Sequence, residues 1–260
     1  MTEKRTALIT GASAGIGKEL AILHAIRGGD LVLVARREAE LNALKADLEQ
    51  RFGVSVMVIV ADLTEASAPQ TIYDTLQASS TRIDYLINNA GLGANGLFHE
   101  RPIQDNLTIV DVNIAALMRL THLFSNDMVK RGFGRILQVG STAGMLPGPL
   151  HATYHASKAF VNSFSFALDE ELRAFGVTST VLAPGPVQTE FFKVADMENT
   201  KGVRTFADPV DVARQGYEAM ERGDLICVND PKLRLLTGWI IPLLPRRTIL
   251  KMARSFATKV

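Results

Sequence analysis

One cysteine, Cys227, stands among 260 residues, which excludes an internal disulfide and any metal site built on a cysteine pair. Its place in a short apolar run predicts buried packing, and a chain without a disulfide framework suits a reducing, cytoplasmic compartment. Charge of one sign is lacking too: 28 Lys plus Arg face 27 Asp plus Glu, for a net charge of +1. No overall field therefore draws the chain to nucleic acid. No apolar run approaches the about 20 residues that cross a bilayer, since the longest, 235–244, contains Gly238 and Pro242. Near the start, Ala7, Leu8 and Ile9 make a run shorter than the ~7–15 apolar residues of a secretory signal. Low-complexity tracts, linkers and internal repeats are absent as well. What is present, 47% hydrophobic and 21% charged residues, describes an ordinary globular chain.

Short aliphatic runs at 6–10, 31–35, 54–61, 83–87, 135–139, 177–183 and 225–228 are continuous rather than alternating, so they predict seven strands buried on both faces. Between them lie helical patterns such as 37–50, where Leu41, Leu44 and Leu48 recur at three- and four-residue steps. Repeated βα units imply an α/β fold, a Rossmann-type doubly wound parallel sheet with helices on both faces, whose ligands bind beyond the carboxyl ends of the strands.

The first strand runs directly into Thr10-Gly11-Ala12-Ser13-Ala14-Gly15-Ile16-Gly17 and then into a helical segment. Glycines at such a turn let the backbone approach a pyrophosphate, while free amides at the helix N-terminus donate to it. At the end of the second strand an acid selects a ribose 2′-hydroxyl and an arginine accommodates a 2′-phosphate. Here the strand ends Val34-Ala35-Arg36-Arg37, which favours NADP(H) over NAD(H), with Ser13 placed to add a hydroxyl. The competing reading makes Arg36 and Arg37 solvated charges, at a helix N-terminus whose dipole they oppose.

Tyr154 and Lys158 stand four residues apart, on one helix face. A phenol with a pKa near 10 is a poor acid–base catalyst at neutral pH without a nearby cation, and Lys158 supplies one. Ser141 follows the fifth strand, where its hydroxyl falls at the carboxyl edge. His151 and His155 are also four apart, but no third ligand is spaced to join them and no metal site is expected. Asp169, Glu170 and Glu171 read as a solvated helix face.

Taken together, Thr10–Gly17 as TGxxxGxG, Asn88-Asn89-Ala90-Gly91, Asn113, Ser141, the YxxxK of Tyr154 and Lys158, and Pro184-Gly185 resemble the classical short-chain dehydrogenases/reductases in order and spacing. The resemblance covers about residues 6–189 and implies an NADP(H)-dependent carbonyl reductase or alcohol dehydrogenase. It implies Tyr154 as general acid or base, Ser141 as the hydroxyl that holds the reacting oxygen, and Lys158 as the cation that lowers the tyrosine pKa and binds the nicotinamide ribose. By the same resemblance Asn113 positions a water leading from Lys158 to solvent, and Asp62 bonds the adenine amino group. Asn89, Ala90 and Gly91 line the cofactor cleft together with Pro184 and Gly185, while Val187 and Thr189 anchor the carboxamide. A lid is expected over about 186–205. Relatives pair through the helix carrying Ala156, Ala159, Phe160, Ser163, Phe164 and Ala167, so that stripe is either core or the contact of a homodimer or homotetramer.

Leu92, Leu97, Phe98, Met145, Leu146, Leu150, Phe191, Phe192, Val194 and Met197 supply an apolar substrate pocket in the loops beyond the strands, with His151 facing the substrate. A small-molecule ketone, aldehyde or secondary alcohol is the expected partner. A catalytically silent NADP-binding regulator is the competing reading, and a membrane-surface adaptor another. Beyond the domain expected over 1–230, residues 231–260 form an acid-free extension bearing Lys232, Arg234, Arg246, Arg247, Lys251, Arg254 and Lys259 among Leu235, Leu236, Trp239, Ile240, Leu243, Leu244, Ile249, Leu250, Met252 and Phe256. That composition suits a segment covering its own or a neighbour's cleft, or one lying on anionic lipid.

Overall fold

Successive strand residues point to opposite faces of a sheet, and here both faces are apolar. Ala7, Ile9, Leu31, Leu33 and Ile87 pack on one side, and Leu8, Val32, Val34, Leu86 and Ile136 on the other. Only a sheet covered twice can bury such runs. In the computed structural model, which describes residues 4–198, 200 and 205–258, the strands are β1 (Thr6–Thr10), β2 (Asp30–Ala35), β3 (Val56–Val60), β4 (Tyr85–Asn88), β5 (Gly134–Val139), β6 (Val177–Leu182) and β7 (Ile226–Cys227). All pair in parallel, in the order β3-β2-β1-β4-β5-β6-β7. The expected seven-stranded doubly wound sheet is therefore the one observed. Its central register sets Ile9 opposite both Leu33 and Ile87.

The helices are α1 (Gly15–Ile26), α2 (Glu38–Phe52), α3 (Ala68–Ala78), α4 (Ile103–Val110), α5 (Leu117–Arg131), α6 (Ala152–Arg173), α7 (Phe191–Val194), α8 (Pro209–Arg222), α9 (Pro231–Leu235) and α10 (Arg246–Ala257). One core takes Leu20 and Ala21 from α1, Leu41, Leu44 and Leu48 from α2, and Tyr217 and Met220 from α8. The other takes Ile72 and Leu76 from α3 and Leu120, Phe124 and Met128 from α5. Each such side chain stabilises the fold by about 1.5–3 kcal/mol relative to exposure. α4 and α5 are one continuous helix joined through a π-helical turn over Asp111–Ala116. The run Ile103–Arg131 is long and apolar enough to cross a membrane by length and composition, but its inward residues fill the second core.

Cys227 packs against the edge of the first core, and burial pushes its thiol pKa up, as expected of an inert thiol. Asp169 corrects the reading of a solvated acidic face. Glu170 and Glu171 are exposed, whereas Asp169 is 4% exposed. Its Oδ1 accepts the Ser179 backbone N–H at 2.9 Å, and its Oδ2 accepts Arg173 at 2.6 and 3.0 Å. The carboxylate thus ties α6 to β6, and burial is compensated because each oxygen has a donor. Asp169→Ala strands a buried N–H and an arginine, so we expect a loss of about 1–3 kcal/mol in urea unfolding. A loss below about 0.5 kcal/mol, the range of ordinary surface substitutions, would return Asp169 to the solvated face.

Candidate active site

The chain leaves β1 toward β2 and, later, β4 toward β5, so the loops after β1 and β4 diverge and open a crevice at their carboxyl ends. A cleft of about 750 Å³ lies there. Its floor is the glycine turn. Gly11 and Gly15 adopt φ of +66° and +54°, a region that residues with a Cβ avoid. Asn89 fastens this turn to the β4 loop, its Nδ2 donating to the Thr10 carbonyl at 2.9 Å and the Gly11 carbonyl at 3.2 Å. The Thr10 hydroxyl accepts the N–H groups of Asn89 and Ala90 at 3.0 and 3.1 Å.

At one end of the cleft Arg37, at the N-cap of α2, donates from Nε and Nη2 to the Ser13 hydroxyl at 3.2 and 3.1 Å. Its Nη1 reaches Glu190 at 3.0 Å. Arg36 lies 3.9 Å from Asp62, whose carboxyl is held below its ordinary pKa first by the Thr64 backbone N–H and further by Arg36.

At the other end, β5 delivers Ser141 and α6 delivers Tyr154 and Lys158 from its first two turns. Ser141 Oγ accepts the Ala143 N–H at 3.0 Å, which caps the short 3₁₀ turn Thr142–Met145, and donates over a long 3.4 Å to the Pro184 carbonyl. Burial pushes the Tyr154 phenol up to about 12, against a hydrogen bond with Ser141 that lowers it. Lys158 Nζ donates to the Val139 carbonyl at 2.7 Å, and burial lowers its pKa to about 8. Gly91 faces this ammonium, since a Cβ there would lie 3.3 Å from Lys158 Nζ and 3.5 Å from Asn113 Oδ1. Burial is the first cause of both shifts, raising the phenol and lowering the ammonium.

Of the residues expected at the cofactor or substrate site, Gly17, Leu97, Phe98, Asn113, Met145 and Leu150 do not border this cleft, and the rest do. Gly17 is buried in the first turn of α1, where a Cβ would collide with Asn89 and the Gly11 carbonyl; its part is close packing. Met145 ends the 3₁₀ turn away from the cleft. Asn113 sits in the π-helical turn, which presents an extra residue to the helix interior. Its Oδ1 accepts the Leu92 N–H at 2.8 Å while its Nδ2 donates to the Leu92 carbonyl and Ser157 Oγ, each at 2.9 Å. It therefore clamps the β4 loop to α6.

Sequence reasoning missed Asn162, one turn beyond Lys158, whose Nδ2 holds the Ser141 carbonyl at 3.1 Å. Four- and eight-residue spacing from Lys158 and Tyr154 was the signal that could have found it. Glu190 was missed too, because nothing local ties it to Arg37.

Leu92, Leu146, Phe191, Phe192, Val194 and Met197 make the apolar wall, while Phe98 and Leu150 border a smaller adjoining pocket with Leu97 outside both. α7 crosses the cleft with Phe191 packed on Tyr154, ring centroids 5.4 Å apart. Of the expected lid, residues 199 and 201–204 lie outside those described. His151 lines the cleft with a buried Nε2 that has no hydrogen-bond partner among the described residues, and burial first, then His155, lowers its pKa to about 4. Leu233 and Leu236, with Ala253, Phe256 and Ala257 of α10, close the remaining side. The extension thus covers its own cleft, one of the arrangements expected; Lys259 lies outside the described residues.

The sequence profile of the short chain dehydrogenase family matches residues 5–199. The chain is 39% identical over 176 residues to a very-long-chain 3-oxoacyl-CoA reductase of Laccaria bicolor, covering 66% of this chain and 52% of that protein. It thus spans about half the length of that relative. Over 186 residues it is 39% identical to sulfoacetaldehyde reductase 2 of Chromohalobacter salexigens, covering 71% of this chain and 73% of the other. A solved short-chain dehydrogenase from Sphingobium yanoikuyae in complex with NADPH superposes with a TM-score of 0.84 at 31% identity over 92% of each chain.

Proposed function

This chain belongs to the short chain dehydrogenase family of oxidoreductases, and from that premise we propose that it is an NADP(H)-dependent reductase of apolar ketones or aldehydes, or the dehydrogenase of the corresponding secondary alcohols. The observation that carries the reading is a single cleft with the Arg37–Ser13 pair at one end and Ser141, Tyr154 and Lys158 at the other. The residues fit a dinucleotide, since Gly11 and Gly15 border the cleft without side chains and leave backbone open to a pyrophosphate. The bound nicotinamide supplies the hydride.

The chain's own residues supply placement and the proton. Tyr154 stays a neutral phenol at physiological pH and so holds the proton that a reduced carbonyl oxygen must receive. Ser141 can aim its hydroxyl at that oxygen by giving up only the long bond to Pro184. Lys158 keeps two N–H donors beyond the one given to Val139 and takes the ribose hydroxyls of the cofactor. Asn113 and Asn162 act as positioning residues behind Leu92 and Ser141. Asp62 would hold the adenine amino group, Asn89, Ala90 and Gly91 would line the cofactor, and Val187 and Thr189, with Pro184 and Gly185 beside them, would hold the carboxamide; all of these residues border the cleft.

The two relatives' names share a carbonyl to be reduced and differ in what is attached to it, so the substrate class rests on the cleft. Apart from Lys158, its lysines and arginines are Arg36 and Arg37 at the adenosine end. His151 is neutral above pH about 4. Among the described residues the remaining cation nearby is Arg101, which lines the smaller adjoining pocket and is paired with Asp105 at 3.3 Å, and the aliphatic and aromatic wall of the cleft favours an apolar substituent. The outer stripe of α6 is not core: Ala156, Ala159, Ser163 and Ala167 are exposed, with Phe160 and Phe164 stacked beside them at 5.5 Å. We assign it to pairing in a homodimer or homotetramer.

The test follows NADPH absorbance over a series of bulky apolar ketones and aldehydes. Turnover with NADPH and little with NADH is expected. Arg36→Ala combined with Arg37→Ala weakens NADPH roughly 10- to 100-fold, the size of one or two solvent-screened charge-assisted bonds, and leaves NADH nearly unchanged. Equal losses for both cofactors would refute the 2′-phosphate assignment.

A further inference from the structure

Charge is divided unevenly along this chain. Residues 1–230 hold all 27 acidic and 21 of the 28 basic residues, a net charge of −6, whereas residues 231–260 hold seven basic and no acidic residues, a net charge of +7. Six of those seven, Lys232, Arg234, Arg246, Arg247, Lys251 and Arg254, are exposed, and among the described residues none forms an ion pair.

Apolar residues stand out beside them. Leu243 is 85% exposed and Trp239 73%, and Leu235 is 56% exposed. In α10, Ile249, Ala253 and Ala257 form the inward stripe at four-residue steps, while Arg247, Lys251 and Arg254 take the outward face and Met252 and Phe256 are left exposed at its flank. The inward stripe packs on the protein, so what α10 offers a surface is its outward basic face with Met252 and Phe256 beside it, which suits contact with anionic headgroups. The same surface is continuous with the cleft, since Phe256 both borders the cleft and is exposed.

We propose that the surface of residues 231–258 docks on an anionic lipid bilayer, with Trp239 and Leu243 entering the headgroup region and the basic side chains meeting lipid phosphates. A second copy of the chain is the poorer occupant: a two-fold contact through this face would set two acid-free basic surfaces against each other. An anionic surface attracts the +7 extension and repels the −6 remainder, which brings the cleft side bordered by Phe256 toward the bilayer. On the reductase reading, an apolar ketone dissolved in the bilayer then enters beside Phe256. Docking itself does not depend on that reading.

The experiment uses the full chain and two vesicle preparations, phosphatidylcholine alone and equimolar phosphatidylcholine and phosphatidylglycerol. Co-sedimentation with the anionic vesicles only, weakened by added NaCl, is expected. Trp239 is the single tryptophan, so its emission reports the docking face directly and shifts to the blue on binding. Neutralising Arg247, Lys251 and Arg254 together to glutamine lowers partitioning on the order of 100-fold, about 1 kcal/mol for each basic residue. Unchanged Trp239 emission, equal sedimentation with both preparations, or a lipid-free blue shift that grows with protein concentration would each overturn the proposal, the last by showing a second copy on this face. None of these readouts requires turnover, so a failed carbonyl assay leaves them intact.

Discussion

Tyr154→Phe lowers kcat for carbonyl reduction on the order of 10²- to 10⁴-fold, the usual contribution of a positioned general acid, while leaving NADPH affinity nearly as it was. The substitution removes one oxygen and keeps the ring, so packing against Phe191 at 5.4 Å and His155 at 6.0 Å survives. What goes is the phenolic proton held beside Ser141. Burial pushes the phenol pKa up to about 12, so Tyr154 holds its proton throughout the neutral range and its phenolate is scarcely populated there. Reduction therefore proceeds with Tyr154 already protonated, whereas alcohol oxidation must first deprotonate it and is expected to accelerate as pH rises. Single-turnover absorbance of NADPH separates chemistry from release. A variant with unchanged kcat would remove Tyr154 from the reaction.

The strands were legible because both faces of the sheet are covered, and coverage writes itself into sequence as unbroken aliphatic runs. The first strand, Thr6–Thr10, is found residue for residue, and the seventh shrinks from 225–228 to Ile226–Cys227 at the edge of the sheet. Most of the expected site also meets in one cleft, since glycine turn, serine and tyrosine each sit at a carboxyl end that topology brings together. Less legible were contacts between residues far apart in the chain. Arg37 and Glu190 are 153 positions apart, and no local period relates them. Asp169 looked solvated because it opens an acidic triplet; its burial depends on the Ser179 amide of a neighbouring strand. The resemblance marks Asn113, but its packing was not legible: from the π-helical turn its amide is committed to Leu92 and Ser157.

Lys158→Met is expected to stabilise the chain while disabling it. The ammonium is buried, with Val139 its one hydrogen-bond partner among the described residues, and its pKa falls from 10.5 to about 8. That difference corresponds to about 3 kcal/mol of desolvation carried by the folded state. Its sign follows from proton counting: below pH 8 folded and unfolded chains both hold the proton and the penalty is complete. Between pH 8 and 10.5 only the unfolded chain holds it, so stability rises with pH across that window. Methionine fills nearly the same volume without a charge, leaving the Val139 carbonyl unpaired at a cost of about 1 kcal/mol. The variant should therefore gain about 2 kcal/mol near neutral pH, seen as a higher Tm, and the gain should vanish toward pH 10.5. Activity moves the other way, with kcat/KM falling on the order of 10²- to 10³-fold, as when a preorganised buried donor is removed, and NADPH binding weakening with it, unlike Tyr154→Phe. In the unsubstituted chain kcat/KM for reduction should be level below pH 8 and decline above it as Lys158 loses its proton. A Lys158→Met variant that is less stable at pH 7, or a reduction rate indifferent to pH between 7 and 9, would show that the ammonium is neither strained by burial nor needed in its charged form.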